Sequence, residues 1–323
     1  TEWIQQNIFN IIIMDKHAEI LYPAHALLGE SPVWHHGEKR LYWLDIEGLR
    51  LHCFDPAGGK DESFPLATLT GCLAPCRNGN FLLAAQTGIE EVRLGANGIE
   101  AVGANAKIHP ESEIPENRYN DGKCSPEGRF WFGSLNKHRQ SGRASLYVLD
   151  GRGCRTAVSG ATNSNGLGWS PDGKTFYWID TPTLRVDAFD YDADEGQLRN
   201  RRTVIRFPET GGEIAGAAGN TGKNFGRPDG MAVDSDGMVW IAHWLGGRVT
   251  RWNPANGTLL ETVWVPVSRV TSLTFGGLEL KTLFITTAGF GLTPEIQPYE
   301  PHAGGLFVYE SGISGLPISY YSP

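Results

Sequence analysis

The 323-residue chain has little cysteine, no concentrated positive charge and no long apolar run. Its five cysteines (Cys53, Cys72, Cys76, Cys124 and Cys154) form no Cys-x-x-Cys pair. That argues against a zinc ribbon or a disulfide scaffold and points to a reduced, cytoplasmic protein. The formal net charge is −8, and no Lys/Arg cluster breaks the acidic surface. Nucleic acid needs such a face, as does an anionic membrane, so neither is expected as a partner. No stretch approaches the roughly 18–20 apolar residues of a membrane-spanning helix. Ile11–Met14, with Ile8 and Phe9 before it, lacks a basic leader and a small-residue cleavage site, so it does not read as a signal peptide. There is no G-x-S-x-G elbow and no H-E-x-x-H helix, which disfavours a serine esterase and a zincin.

Glycine and proline are plentiful instead, at 41 and 19 residues, as suits short strands and tight turns. A polar turn ending in Gly, followed by an aromatic and β-branched run, recurs along the chain. It reads HHG-EKRLYWLDI at Gly37, RNG-NFLLAAQTG at Gly79, PEG-RFWFGSL at Gly128, PDG-KTFYWID at Gly173 and SDG-MVWIAHW at Gly237, with a looser copy at Gly277. The spacings are 42, 49, 45, 64 and 40 residues. A further strand and turn follow most copies. Each unit is four short strands, too small to bury its own faces, so the units must stack on one another. A period of this size predicts an all-β, six-bladed β-propeller with four-stranded blades. A two-sheet sandwich would not repeat its turn chemistry at such spacing. The tryptophans Trp43, Trp131, Trp178 and Trp240 share one strand phase and are expected to pack the blades.

Residues 1–17 are expected as an N-terminal extension and 18–323 as one propeller domain. Ile4, Ile8, Ile11 and Ile12 have helical spacing, so the extension is either a short helix on the barrel or a remnant foreign to the fold. Gly211–Phe225 accounts for the long spacing of 64 and reads as a rim loop, either a lid or plain surface.

Innermost strands of a propeller line a central channel, so a residue at one phase in every repeat points into one space. Eight residues before the turn glycine stand Asn120, Asn165 and Asp229, and Glu30 stands seven before Gly37. Taken singly these are turn residues; their shared phase makes them an oxygen-bearing set. Two carboxylates and two amides converging in a channel are poorly solvated without a cation. An all-oxygen set suits one hard divalent ion: Ca²⁺, Mg²⁺ or Mn²⁺, with Zn²⁺ also accommodated.

The segments GESPVW (Gly29–Trp34), RLYWLDI (Arg40–Ile46), RYNDGKCSPEGRFWFGSL (Arg118–Leu135), NGLGWSPDGKTFYWID (Asn165–Asp180) and RPDGMAVDSDGMVWIAHW (Arg227–Trp244) resemble the senescence marker protein-30 (regucalcin) and gluconolactonase family. The resemblance runs from about Gly29 to about Ala288. It implies a six-bladed propeller holding one divalent metal at the top of its channel and hydrolysing sugar lactones. The implied metal ligands are Glu30, Asn165 and Asp229; the implied substrate contacts are Arg118 and Asn120. The chain departs from the family pattern in GSL (Gly133–Leu135) and in the basic loop Asn136–Arg143. His138 of that loop and His243 are further candidates for touching the sugar.

The expected activity is therefore a metal-dependent lactonase, with Asp229 as candidate general base and a small-molecule sugar lactone as partner, acting as a monomer or weak homo-oligomer. Two other classes stay open: a metal-dependent hydrolase of another ester or phosphoester, and a non-catalytic calcium-binding propeller. Gly168–Thr175 matches G-x-x-x-x-G-K-[ST], but Pro171-Asp172-Gly173 reads as a hairpin turn rather than a phosphate cradle.

Overall fold

The computed structural model describes residues 16–95, 98–102, 108–209 and 224–323. These form six sheets in chain order, and the fold is the expected six-bladed β-propeller. The inner strands are Gly29–His35, Thr70–Pro75, Asn117–Cys124, Ser164–Trp169, Arg227–Val233 and Val270–Gly276. Each opens a blade, and the strands of that blade that follow it in the chain run antiparallel and outward. Among the described residues the only helical turns are the 3₁₀ segments Thr181–Thr183 and Gln297–Tyr299.

The recurring turn sits at one end of every blade. Gly79, Gly128, Gly173 and Gly237 donate their N–H to the carbonyls of Cys76, Ser125, Ser170 and Asp234, three residues back. All four have positive φ, from 68° to 102°, where a Cβ is costly and glycine is not. The first copy differs: Lys39, not Gly37, takes the left-handed conformation, at φ 54°.

The ring closes through chain pairing rather than through one long repeat. Glu19–Tyr22, from the N-terminal side, pairs antiparallel with Leu306–Glu310 and completes the sixth blade. Lys16–His17, assigned by sequence to an extension, pairs parallel with the outer strand Thr258–Trp264 of blade five. The structured ring thus begins before residue 18. Residues 1–14, expected as either a short helix or a foreign remnant, lie outside the described residues.

The core lies between blades. Trp43, Trp131, Trp178 and Trp240 are all at most 1% exposed, each on the second strand of its blade, and pack the blades as expected. They do not share one phase: Trp131 and Trp240 face the following blade, whereas Trp43 and Trp178 face the preceding one. Large buried rings join neighbouring blades; Trp131, for example, meets Trp169, Phe176 and Tyr191 of blade four. At the turn end the C-terminal segment crosses the channel. Leu316 N–H bonds Val233 O in blade five, and Tyr321 N–H bonds Pro75 O in blade two.

Candidate active site

Every inner strand carries one extra residue against its neighbour, at the level opposite the turn end. The register slips between Glu30 and Val33, Thr70 and Cys72, Tyr119 and Gly122, Ser164 and Leu167, Pro228 and Met231, and Val270 and Ser272. A bulge bends its strand and re-aims side chains that a regular ladder would hold. In blades three, four and five the unpaired positions begin at Asn120, Asn165 and Asp229. Glycines at the same level let the strands close in. A Cβ on Gly166 would stand 2.6 Å from Asp229 O, and one on Gly230 would stand 2.2 Å from Ser272 Oγ.

Blade one corrects the count made from the turn. Its unpaired residues are Ser31 and Pro32, so Ser31 is the register equivalent of Asn120, and Glu30 still pairs with Leu44. The displaced left-handed residue of the first turn accounts for the offset. Ser31 itself adopts φ 49°, and Glu30 reaches the same cluster from one position earlier.

The structure brings Glu30, Arg118, Asn120, Asn165 and Asp229 together, all 3–8% exposed. Arg118 Nη1 donates to Asn120 Oδ1 and to Tyr119 O, both at 2.9 Å. Asn120 Nδ2 in turn lies 3.2 Å from Asn165 Oδ1 and 2.9 Å from Ser164 O. Asn165 Nδ2 donates to Thr181 Oγ1 at 3.0 Å, and that hydroxyl donates to Pro228 O at 2.8 Å. The amide is thereby oriented, with its oxygen turned away from Thr181.

Burial pushes both carboxyl groups well above the usual carboxylate range. For Glu30 the next contributions are the charges of Asp229 and Asp121; the Ser31 N–H bond and Arg118 oppose them. For Asp229 the next is Asp121, opposed by Arg139, a hydrogen bond with Asn165, and Arg118. Arg118 is itself pulled down by burial, with Glu30 and Glu47 opposing and Arg139 adding to the shift.

Three residues near this cluster were not singled out by sequence. Asp121 is the second unpaired residue of the blade-three bulge, 8% exposed, accepting from Gly122 N–H at 2.7 Å. Only its place beside Asn120 could have signalled it. Thr181 fixes Asn165 and follows a strand rather than standing in one. Arg139, in the basic loop, acts electrostatically on both Arg118 and Asp229.

The two histidines are not gathered into the cluster. His138 is exposed, and its backbone N–H bonds Asn136 Oδ1 at 3.1 Å. His243 is 0% exposed, with Nε2 2.6 Å from Thr250 Oγ1 and its ring edge-on to Phe207 and Phe225. Burial, then the charge of Arg248, pulls its pKa down to about 3, so the ring is a neutral packing group. Of the rim loop Gly211–Phe225, expected as either a lid or plain surface, residues 211–223 lie outside the described residues; Phe225, at its end, packs on His243 and Arg248.

The cluster fits a hard divalent cation. Glu30 and Asp229 are enclosed together, and burial and mutual repulsion oppose their ionisation, the imbalance a cation removes. With Asn165 Oδ1 they make an all-oxygen donor set without His or Cys. Among the described residues no group of three or more His, Cys, Asp or Glu is arranged to hold a metal, so this set of two carboxylates and an amide depends on the Asn165 oxygen for its third donor.

The family model described as "SMP-30/Gluconolactonase/LRE-like region" matches residues 28–289. Regucalcin of Danio rerio is 36% identical over 299 residues, covering 91% of this chain and 95% of the relative. YvrE of Bacillus subtilis (strain 168), named as a candidate sugar lactone lactonase, is 34% identical over 283 residues, covering 87% and 90%. A solved luciferin-regenerating enzyme superposes with a TM-score of 0.81 at 28% identity, covering 93% of this chain and 97% of that one.

Proposed function

The chain belongs to the SMP-30/gluconolactonase/LRE-like family, and from that premise we propose that it is a metal-dependent lactonase that opens sugar lactones to aldonic acids. The observation that supports this reading is the buried set Glu30, Asn165 and Asp229, meeting Arg118 and Asn120 at one level of the channel.

Glu30, Asn165 and Asp229 would hold the divalent ion, with calcium, magnesium, manganese and zinc all compatible with the donors. When bound, such an ion supplies Lewis acidity to the lactone carbonyl. The chain's residues do the rest. Arg118 and Asn120, already locked to each other, donate hydrogen bonds to sugar hydroxyls and fix the ring. Asp229 orients the attacking water and takes its proton on a carboxylate oxygen as the water oxygen bonds the carbonyl carbon. The tetrahedral species collapses as the ring C–O bond breaks, and the proton passes from Asp229 to the departing ring oxygen. Water is added across the ester, and nothing is oxidised or reduced.

Among the described residues no helix is long and apolar enough to cross a membrane. All five cysteines are free thiols, which supports a reducing, cytoplasmic setting.

A pH-stat assay over a panel of aldonolactones, with chelated protein reloaded by each divalent ion in turn, tests the reading. Turnover of at least one lactone that disappears on chelation and returns with metal is expected. Turnover of phosphotriesters without lactones, or metal binding with no turnover at all, would sink it.

A further inference from the structure

Loop 137–143 stands at the same end of blade three as Arg118. It follows directly from the second strand, Phe130–Asn136, in which Asn136 pairs with Asn117 and Leu135 with Arg118. Asn136 organises it: its carbonyl accepts from Arg139 N–H at 2.9 Å, and its Oδ1 accepts from the N–H groups of His138 and Gln140, each at 3.1 Å. Lys137 N–H is tied back to Glu116 O at 2.9 Å. Arg139 takes φ 57°, a sharp local reversal at a loop residue whose charge acts on the buried cluster.

The loop carries Lys137, Arg139 and Arg143 and no carboxylate. Among the described residues none of the three has an ion-pair partner within 4 Å, although fifteen or more such pairs are formed elsewhere on the protein. Charge at the mouth is therefore unbalanced. Glu30 and Asp229 are committed as cation donors, and Asp121 faces Lys123. Against Arg118 and Arg139 stands Glu47, which acts on Arg118. Glu113 and Glu116, before the blade-three strand, are exposed. An exposed guanidinium with no carboxylate partner, beside a buried one already engaged by Asn120, offers an oxyanion a planar fork of donors.

We propose that the lactone taken by this site bears an anionic substituent, carboxylate or phosphate, on the carbon chain away from the ester, with Arg139 as its specificity-determining partner. The inference rests on the lactonase reading and narrows it. Arg139 takes no part in bond making or breaking: it pairs with the substituent at the mouth while Arg118 and Asn120 hold the ring inside. A neutral lactone leaves Arg139 unpaired, so discrimination falls on binding and on kcat/KM together.

The metal-loaded protein is assayed with three lactones of one sugar skeleton: neutral, 6-carboxylated and 6-phosphorylated. At least one anionic lactone is expected to exceed the neutral one tenfold or more in kcat/KM, the size of one charge-assisted hydrogen bond. Arg139→Gln should cut that ratio at least tenfold, and Arg139→Glu should invert it; both are exposed changes that spare the fold. Calorimetry with the ring-opened products gives a second readout, in which the product with two acidic groups should bind the parent, but not Arg139→Gln, more tightly than the product with one. Equal or faster turnover of the neutral lactone, or an Arg139→Gln ratio within twofold of the parent, overturns the inference and leaves the lactonase reading standing. The skeleton is one that the aldonolactone panel shows to be opened; if the panel shows none, both readings fall.

Discussion

Gly166→Ala tests whether the bulges hold the donor set by close strand contact. Gly166 follows Asn165 directly, and an added Cβ would sit 2.6 Å from Asp229 O, 2.7 Å from Met231 Cβ and 2.8 Å from Met231 N. Backbone atoms cannot rotate away, so reaching even 3.0 Å requires the inner strands of blades four and five to part by about 0.4 Å. The methyl therefore drives Asn165 away from Asp229, the separation a shared cation depends on. Overpacking of this kind costs about 1–3 kcal/mol, a Tm lower by several degrees. A misplacement of about 1 Å can cost 10²-fold in rate, so a loss of about tenfold is expected at 0.4 Å. Gly168→Ala, two residues down the same strand, is the control. Its Cβ would meet only Val233 Cγ2, at 3.0 Å, a side-chain atom that can shift. Thermal unfolding, metal titration and lactone turnover are measured on both variants. If Gly166→Ala keeps the parental Tm, metal affinity and rate, close strand approach does not position the site.

Three other outcomes follow from the same geometry. Glu30→Gln keeps the side chain's shape and removes a charge, so divalent-ion affinity should fall at least tenfold in calorimetry and excess metal should partly restore turnover; unchanged affinity would remove Glu30 from the donor set. Arg118→Ala should raise KM for lactone with metal affinity within about threefold of the parent, and equal loss of both would make Arg118 a scaffold for Asn120 instead. His243, held neutral with its pKa pulled down to about 3, sets an acid limb: above pH about 6.5 the ring is neutral folded and unfolded, whereas below it only the unfolded chain gains the proton. Stability should therefore drop as pH falls from about 6.5 toward 3, by up to tenfold in the folding equilibrium per pH unit, and denaturant titrations of His243→Gln should show a shallower limb; parallel curves would refute the assignment.

Much of the ring was legible because its signals are local. The turn glycines set the period, and the strand from inner-face residue to turn has one length in blades three, four and five, so counting back eight reached Asn120, Asn165 and Asp229. The same count misreads blade one, where left-handed geometry at Lys39 shifts the phase and places Ser31 at the equivalent position. Ring closure was hidden for a different reason: Glu19–Tyr22 finds its partner at Leu306–Glu310, a pairing no local pattern encodes. Within the basic loop, composition could not separate neighbours. His138 and Arg139 differ in which way the backbone turns, and φ 57° at Arg139 is a property of the fold. His243 shares a strand with packing residues and reads like a site histidine until Phe207 and Phe225 are seen to enclose it.

The role given to Asp229 is tested most directly by Asp229→Asn, assayed at verified full metal occupancy with spontaneous lactone opening as the baseline. The side chain keeps an oxygen for the cation and loses the ability to take a proton. Turnover should fall by about 10²–10⁴-fold, the usual contribution of a general base, while occupancy is restored by saturating metal. Asn165→Asp, which adds a charge without moving the base, should instead tighten metal binding and retain measurable turnover. An Asp229→Asn protein that opens lactone at the parental rate would contradict the account.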